Sequence, residues 1–255
     1  MAFMECRFHS AVLGKEVPVN VVFPRSGTVR GRKVLYLLHG LSDDASVWFR
    51  RTSIERYADA LNFIVIMPDG GRGFYTDAVH GAAYWTFLAT ELPEMMKSVF
   101  RLPTRREDTF AAGLSMGGYG ALKLAFLRPE RFAAAGVLSA VTDIRRRFRA
   151  ADSAAWRPEL RLIFGGVSRL AARDNDLFVL AEKAATSGRP LPEIISFCGT
   201  EDFMIADNRC FNRRMKTVKY PGFHAFERPG SHTWEFWDTY IQDILRFFAD
   251  RTLPV

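Results

Sequence analysis

A series of short apolar runs, each cut off by a turn signal, limits this chain to few folds. Lys33–Leu38 stops at His39-Gly40, Phe63–Met67 at Pro68-Asp69-Gly70, and Glu193–Phe197 at Cys198-Gly199-Thr200. Thr109–Ala112, Ala133–Leu138 and Phe223–Phe226 are of the same kind. Strands that are apolar throughout cannot leave one face in water, so the sheet must be covered on both sides. Helical stretches fall between the runs. Leu92, Met95, Met96, Val99 and Phe100 recur at i, i+3, i+4, i+7 and i+8, a single apolar stripe. Gly118–Leu127, Asp174–Ser187 and the stripe from Trp234 to Phe248 read the same way. This alternation predicts an α/β fold with a mostly parallel central sheet and helices on both faces. Val17–Phe23 is alternating, β-branched and stopped by Pro24, which makes it a strand. The two N-terminal strands are expected to form an antiparallel edge.

Residues 140–173 break the pattern. They are rich in Arg, Ala and Trp, with Pro158 and Gly165-Gly166, and predict an insertion over the sheet edge. No Pro/Ser-rich linker or repeat divides the chain, so residues 1–255 are expected to form one domain. At 48% hydrophobic over 255 residues the core can be large. The 22 Phe and 5 Trp predict an aromatic interior and an aromatic-lined cleft, and are compatible with a homo-oligomer.

The net charge is +7, and its densest stretch is Arg145, Arg146, Arg147 and Arg149. Such a stretch suits an anion or nucleic-acid patch, but the solvated face of a short helix or insertion accounts for it better. Nothing resembling a nucleic-acid motif accompanies it. Cys6, Cys198 and Cys210 are odd in number and widely spaced, which fits reduced thiols in a cytoplasmic protein rather than a disulfide or metal scaffold. Cys198 reads as a small buried hydrophobe. Met1–Asn20 lacks a basic segment followed by an apolar core, and no run reaches the roughly 18 apolar residues of a membrane span. No membrane, nucleic-acid, metal or cofactor partner is expected. Gly70-Gly71-Arg72-Gly73 does not open a dinucleotide-binding helix and reads as a loop near the cleft.

Gly113-Leu114-Ser115-Met116-Gly117 is Gly-x-Ser-x-Gly between a strand and a helix. That context would hold Ser115 on a tight turn with its hydroxyl projecting from the end of the sheet. A serine hydroxyl needs a base, and the base needs an orienting acid. In the α/β-hydrolase arrangement these follow in the order Ser, Asp or Glu, His. Only His224 and His232 lie after Ser115. His224 sits inside an apolar run, whereas His232 occupies a turn after the last strand, so His232 is the candidate base. Asp202 is the preferred acid. Glu201 beside it and Asp207 beyond it are the alternatives. Two N–H donors must meet the developing oxyanion; the amides of Met116 and of Leu41, after His39-Gly40, are the candidates. Asp44, Trp48 and Trp156 are candidate substrate contacts, with core packing the competing role for Trp48. Phe164 joins Trp156 as a candidate cap on the acyl pocket.

Leu38-His39-Gly40-Leu41, Met67-Pro68-Asp69-Gly70, Glu91-Leu92-Pro93, Gly113–Gly118 and Gly230-Ser231-His232-Thr233-Trp234 together resemble the esterase D, or putative esterase, family. The resemblance runs from about Met4 to Phe248 and is closest to the tributyrin-esterase branch. The family also includes acetyl xylan and feruloyl esterases, S-formylglutathione hydrolases and mycolyltransferases of antigen 85 type. The resemblance implies an α/β-hydrolase fold and places the family's nucleophile on Ser115, acid on Asp202, base on His232 and oxyanion donors on Leu41 and Met116. Formylglutathione hydrolases usually carry His before the nucleophile; Leu114 stands there in this chain. The expected function is a serine carboxylesterase acting on short-chain acyl esters, either simple alkyl or glyceryl esters or acetyl and cinnamoyl groups on sugars. A formylglutathione-type thioesterase or an acyltransferase is the alternative, and a non-catalytic binding module is disfavoured.

Overall fold

The structure, a computed structural model, describes residues 1–25, 31–100, 102–103 and 105–254. Among them, eight strands form one sheet in the order β1-β2-β4-β3-β5-β6-β7-β8. These are β1 (Ala2–Ser10), β2 (Lys15–Phe23), β3 (Lys33–Leu38), β4 (Phe63–Pro68), β5 (Thr109–Leu114), β6 (Ala134–Leu138), β7 (Glu193–Gly199) and β8 (Phe223–Arg228). β1 pairs antiparallel with β2, and β2 with β4; from β4 across to β8 every pairing is parallel. The antiparallel edge is therefore β1 with β2. Lys33–Leu38, the second strand in the sequence reading, lies inside the parallel part instead. It is fully apolar and takes a position covered on both faces.

The helices are α1 (Val47–Arg51), α2 (Ile54–Leu61), α3 (Tyr84–Thr86), α4 (Leu92–Phe100), α5 (Met116–Leu127), α6 (Ile144–Arg147), α7 (Arg157–Phe164), α8 (Leu177–Ala185), α9 (Ile205–Thr217) and α10 (Trp234–Asp250). Side-chain alternation splits the sheet between two cores. Val34, Tyr36, Ile64 and Ile66 face α4, α5, α8 and α9. Leu35, Leu37, Phe63 and Val65 face α1, α2 and α10. The Glu91 carboxylate accepts from the Ser10 hydroxyl and from the amides of Ala11 and Val12, so the β1–β2 hairpin is tied to the start of α4.

Residues 140–173 form a cap that does not lie over a sheet edge. Leu160, Ile163, Phe164 and Leu170 are buried, and Phe164 packs on Phe74 and Tyr119. Those two rings follow β4 and β5, so the cap covers the carboxyl ends of central strands, where apolar cover is available. The arginine run is a solvated face in part: Arg145, Arg146 and Arg149 are exposed, as expected of a short helix, and Arg147 is not. Arg147 is buried and donates to Asp207 Oδ2 at 2.6 Å. Arg146 also pairs with Asp207, and Arg145 donates from Nε to Asp176 at 2.6 Å. The run clamps the cap to α9 and to the N-terminus of α8.

α5 also buries Lys123, which donates to Thr76 Oγ1 (2.9 Å) and Asn175 Oδ1 (2.6 Å) and lies 4.8 Å from the Trp85 ring centre. Burial pushes its amine from 10.5 down to about 7, against the pull of Asp77 and Asp174. The folded chain thus binds fewer protons than the unfolded one between these values, and stability rises with pH across that window. Lys123→Met keeps the stem, and Thr76 still donates to Asn175. It is expected to raise the melting midpoint at pH 7 by about 2–4 °C, the gain vanishing as pH approaches 10.5. Thermal melts of both proteins from pH 7 to pH 10 check this.

Candidate active site

Ser115 joins β5 to α5 with φ 51° and ψ −114°. A left-handed φ costs an L-residue about 1–2 kcal/mol, so the surroundings must hold it. Ser115 N donates to Leu138 O (2.9 Å), and its carbonyl accepts from Tyr119 N (3.1 Å) and Val141 N (3.0 Å). The turn closes so tightly that a Cβ on Gly113 would lie 2.4 Å from the Gly117 carbonyl carbon, and one on Gly117 would lie 2.3 Å from Leu38 O. Both flanking glycines are thus dictated by backbone contact.

The segment His39–Leu41 leaves β3 beside this turn. His39 is buried; its Nε2 accepts from Gly70 N at 2.8 Å, and its Nδ1 lies 2.7 Å from Gly40 O. Nε2 must therefore offer a lone pair, which assigns the ring hydrogen to Nδ1. Tyr75 donates its hydroxyl to His39 O at 3.1 Å. Phe74 and Tyr75 have φ of 50° and 47°, consecutive left-handed residues at about 1–3 kcal/mol each. The loop after β4 stores this strain while bracing the loop after β3.

His232 lies between β8 and α10. Its Nδ1 is 2.9 Å from Asp202 Oδ2 and 3.1 Å from Oδ1. Asp202, on the loop after β7, is 2% exposed and also accepts from Met204 N at 2.8 Å. Burial alone would raise its carboxyl; the bond and charge of His232, with the Ser139 hydroxyl and the Met204 amide, outweigh it and hold the group below its ordinary value. The imidazole is flanked by Phe203, with ring centres 4.6 Å apart, and edge-on by Trp237 at 4.9 Å.

Ser115, His232 and Leu41 line one cavity of about 540 Å³ with Leu114, Trp156 and Phe203. Met116 is buried directly after Ser115. The alternatives for the acid lie elsewhere: Glu201 accepts from Gly230 N, and Asp207 is engaged by Arg146 and Arg147. His224, on β8, packs against Phe247 of α10. Two expected contacts do not reach the cavity. Asp44 accepts from Ser46 and lines a separate surface pocket with Arg7 and Asn20. Trp48 is fully buried in the α10-side core, donating from Nε1 to Leu38 O. Phe164 is buried beneath the cavity rather than lining it. The sequence reading passed over Phe74, Phe203, Trp234 and Trp237, which do line it. Phe203 and Trp234 were within reach, since they stand one and two residues from Asp202 and His232.

Residues 10–248 match the family model described as putative esterase. The chain belongs to this esterase family. An acetyl esterase of Caldicellulosiruptor saccharolyticus is 29% identical over 265 residues, covering 98% of each chain. Among solved structures, the fluorophosphonate-binding serine hydrolase F of Staphylococcus aureus superposes with a TM-score of 0.89 at 30% identity, over 98% of both chains. An S-formylglutathione hydrolase (FrmB) of the same organism gives 0.87 at 30% identity, over 98% of this chain and 99% of that one. The esterase has the α/β-hydrolase fold and is a carboxylic ester hydrolase. No helix among its described residues is long and apolar enough to cross a membrane.

Proposed function

We propose that this esterase is a serine carboxylesterase that hydrolyses short-chain acyl esters through Ser115, His232 and Asp202. The observation that carries the reading is His232 paired to buried Asp202 while facing the cavity that Ser115 lines. Ser115 Oγ attacks the ester carbonyl, and His232 Nε2 takes its proton. Asp202 holds Nδ1–H and stabilises the imidazolium. The amides of Leu41 and Met116 receive the oxyanion. His232 then protonates the departing alcohol, and water cleaves the acyl-enzyme by the same route. The substrate is a small-molecule or carbohydrate ester, and the free thiols of Cys6, Cys198 and Cys210 support a cytoplasmic setting.

A series of 4-nitrophenyl esters tests the acyl class. Turnover per KM is expected to peak between acetate and butyrate and to fall about tenfold or more by octanoate; a maximum at octanoate or beyond would overturn the short-chain reading. The likeness to the S-formylglutathione hydrolase favours one further arm. Turnover of S-formylglutathione far above that of the best simple ester would make the enzyme a thioesterase. Leu114, in the cavity wall where that branch usually carries His, supports the ester.

A further inference from the structure

The loop Gly70-Gly71-Arg72-Gly73 carries a side chain that links the cap to the loop after β3. Arg72 donates from Nε to Glu159 Oε1 (2.8 Å) and from Nη2 to Glu159 Oε2 (2.7 Å), a two-pronged pair with α7 of the cap. Its remaining Nη1 donates to Leu41 O at 3.3 Å. Leu41 is the residue whose own amide serves as oxyanion donor in the reading above. One planar guanidinium thus holds the cap with one edge and the oxyanion loop with the other. Backbone bonds fix the cap to the loop after β4, which carries Arg72: Val79 N donates to Ile163 O (2.8 Å) and His80 N to Leu162 O (2.9 Å).

We propose that Arg72 is a positioning residue, which aligns the Leu41 amide with the reacting carbonyl by bracing it against the seated cap. This rests on Leu41 acting as an oxyanion donor. Arg72 holds the Leu41–Ser42 peptide, joined through the Leu41 Cα to the peptide that carries the donor N–H. Fixing it matters more as charge develops on the carbonyl oxygen than in the ground state, so the effect falls on kcat rather than KM. Arg72 and Glu159 are 49% and 31% exposed, and exposed pairs are weak and screened by salt. The effect is accordingly modest. Lysine cannot replace Arg72, since one ammonium cannot span both Glu159 oxygens and the Leu41 carbonyl.

The test compares wild type with Arg72→Met, Arg72→Lys and Glu159→Gln. Readouts are kcat and KM for 4-nitrophenyl butyrate and the affinity of an alkyl trifluoromethyl ketone, which mimics the tetrahedral adduct. Active sites are counted by fluorophosphonate labelling, so rates refer to folded enzyme. Arg72→Met is expected to lower kcat per labelled site about fivefold to twentyfold, with KM within about twofold and the ketone weakened in parallel. Arg72→Lys should resemble Arg72→Met, and Glu159→Gln should fall between them and wild type. In 1 M salt the wild-type kcat should move toward that of Arg72→Met, which itself should not respond. Unchanged kcat in Arg72→Met, full rescue by lysine, or an effect on KM alone overturns the proposal. Failure of wild type to label or turn over would overturn the serine-esterase reading instead.

Discussion

Ser115→Ala is expected to lower kcat for 4-nitrophenyl butyrate by about 10⁵–10⁶, with KM little changed and fluorophosphonate labelling abolished. Ser42, Asp43 and His232 also line the cavity, but none of them stands on the turn between β5 and α5 beside the Met116 amide, so none is expected to replace the hydroxyl. Residual turnover should reflect the oxyanion donors and substrate binding alone. The fold should survive, because alanine keeps a Cβ at φ 51° and the turn is held by main-chain bonds to Leu138, Tyr119 and Val141. Ser115→Gly supplies the control. It should be equally inactive and more stable, since glycine relieves the left-handed strain. Steady-state rates and thermal melts of the three proteins check both halves; more than about one percent of wild-type kcat in either variant would remove Ser115 from the nucleophile's role.

The next largest effect is expected from Asp202→Asn, about 10⁴ in kcat at pH 7. Asp202 accepts from His232 Nδ1, the Met204 amide and the Ser139 hydroxyl. The amide oxygen of asparagine can keep the Met204 bond, but its NH₂ then confronts Nδ1–H. The imidazole must turn or carry its hydrogen on Nε2, and either change removes the base. The depressed Asp202 carboxyl also has a stability consequence. Its contribution is complete above the unfolded carboxyl value near 3.9 and is lost as pH falls through the lower folded value. Acid unfolding of wild type should therefore include a component that Asp202→Asn lacks. A kcat within tenfold of wild type would assign the orienting role elsewhere.

Much of this architecture was legible in the sequence because β3 to β7 are apolar on both faces, a pattern only a doubly covered sheet satisfies. Their ends were less clear. Thr109–Ala112 and Glu193–Phe197 continue to Leu114 and Gly199, because main-chain pairing runs on where side-chain hydrophobicity stops. β1 escaped notice although Met4, Cys6 and Phe8 alternate with Glu5, Arg7 and His9. That is the period-two signal of a half-exposed edge strand, diluted by charge. Ser115, Asp202 and His232 were legible because their order and loop positions are set by topology. The cavity wall was not. Phe74, Phe203 and Trp237 come from loops and helices far apart in sequence, and Asp44 and Trp48 were drawn to the cleft by nearness along the chain, which the turn into α1 undoes.

The cap is fastened by side chains, Arg145 to Asp176, Arg147 to Asp207 and Arg72 to Glu159, and by main-chain bonds from Val79 and His80 to Ile163 and Leu162. The Ser115 turn is fastened by main-chain bonds to β6 and its following loop. The two sets of fastenings share no bond, so a change in one does not by itself undo the other. Beyond Val141, whose amide holds the Ser115 carbonyl, the cap can be redrawn, and with it the wall that Trp156 contributes, without breaking any bond that holds the Ser115 turn.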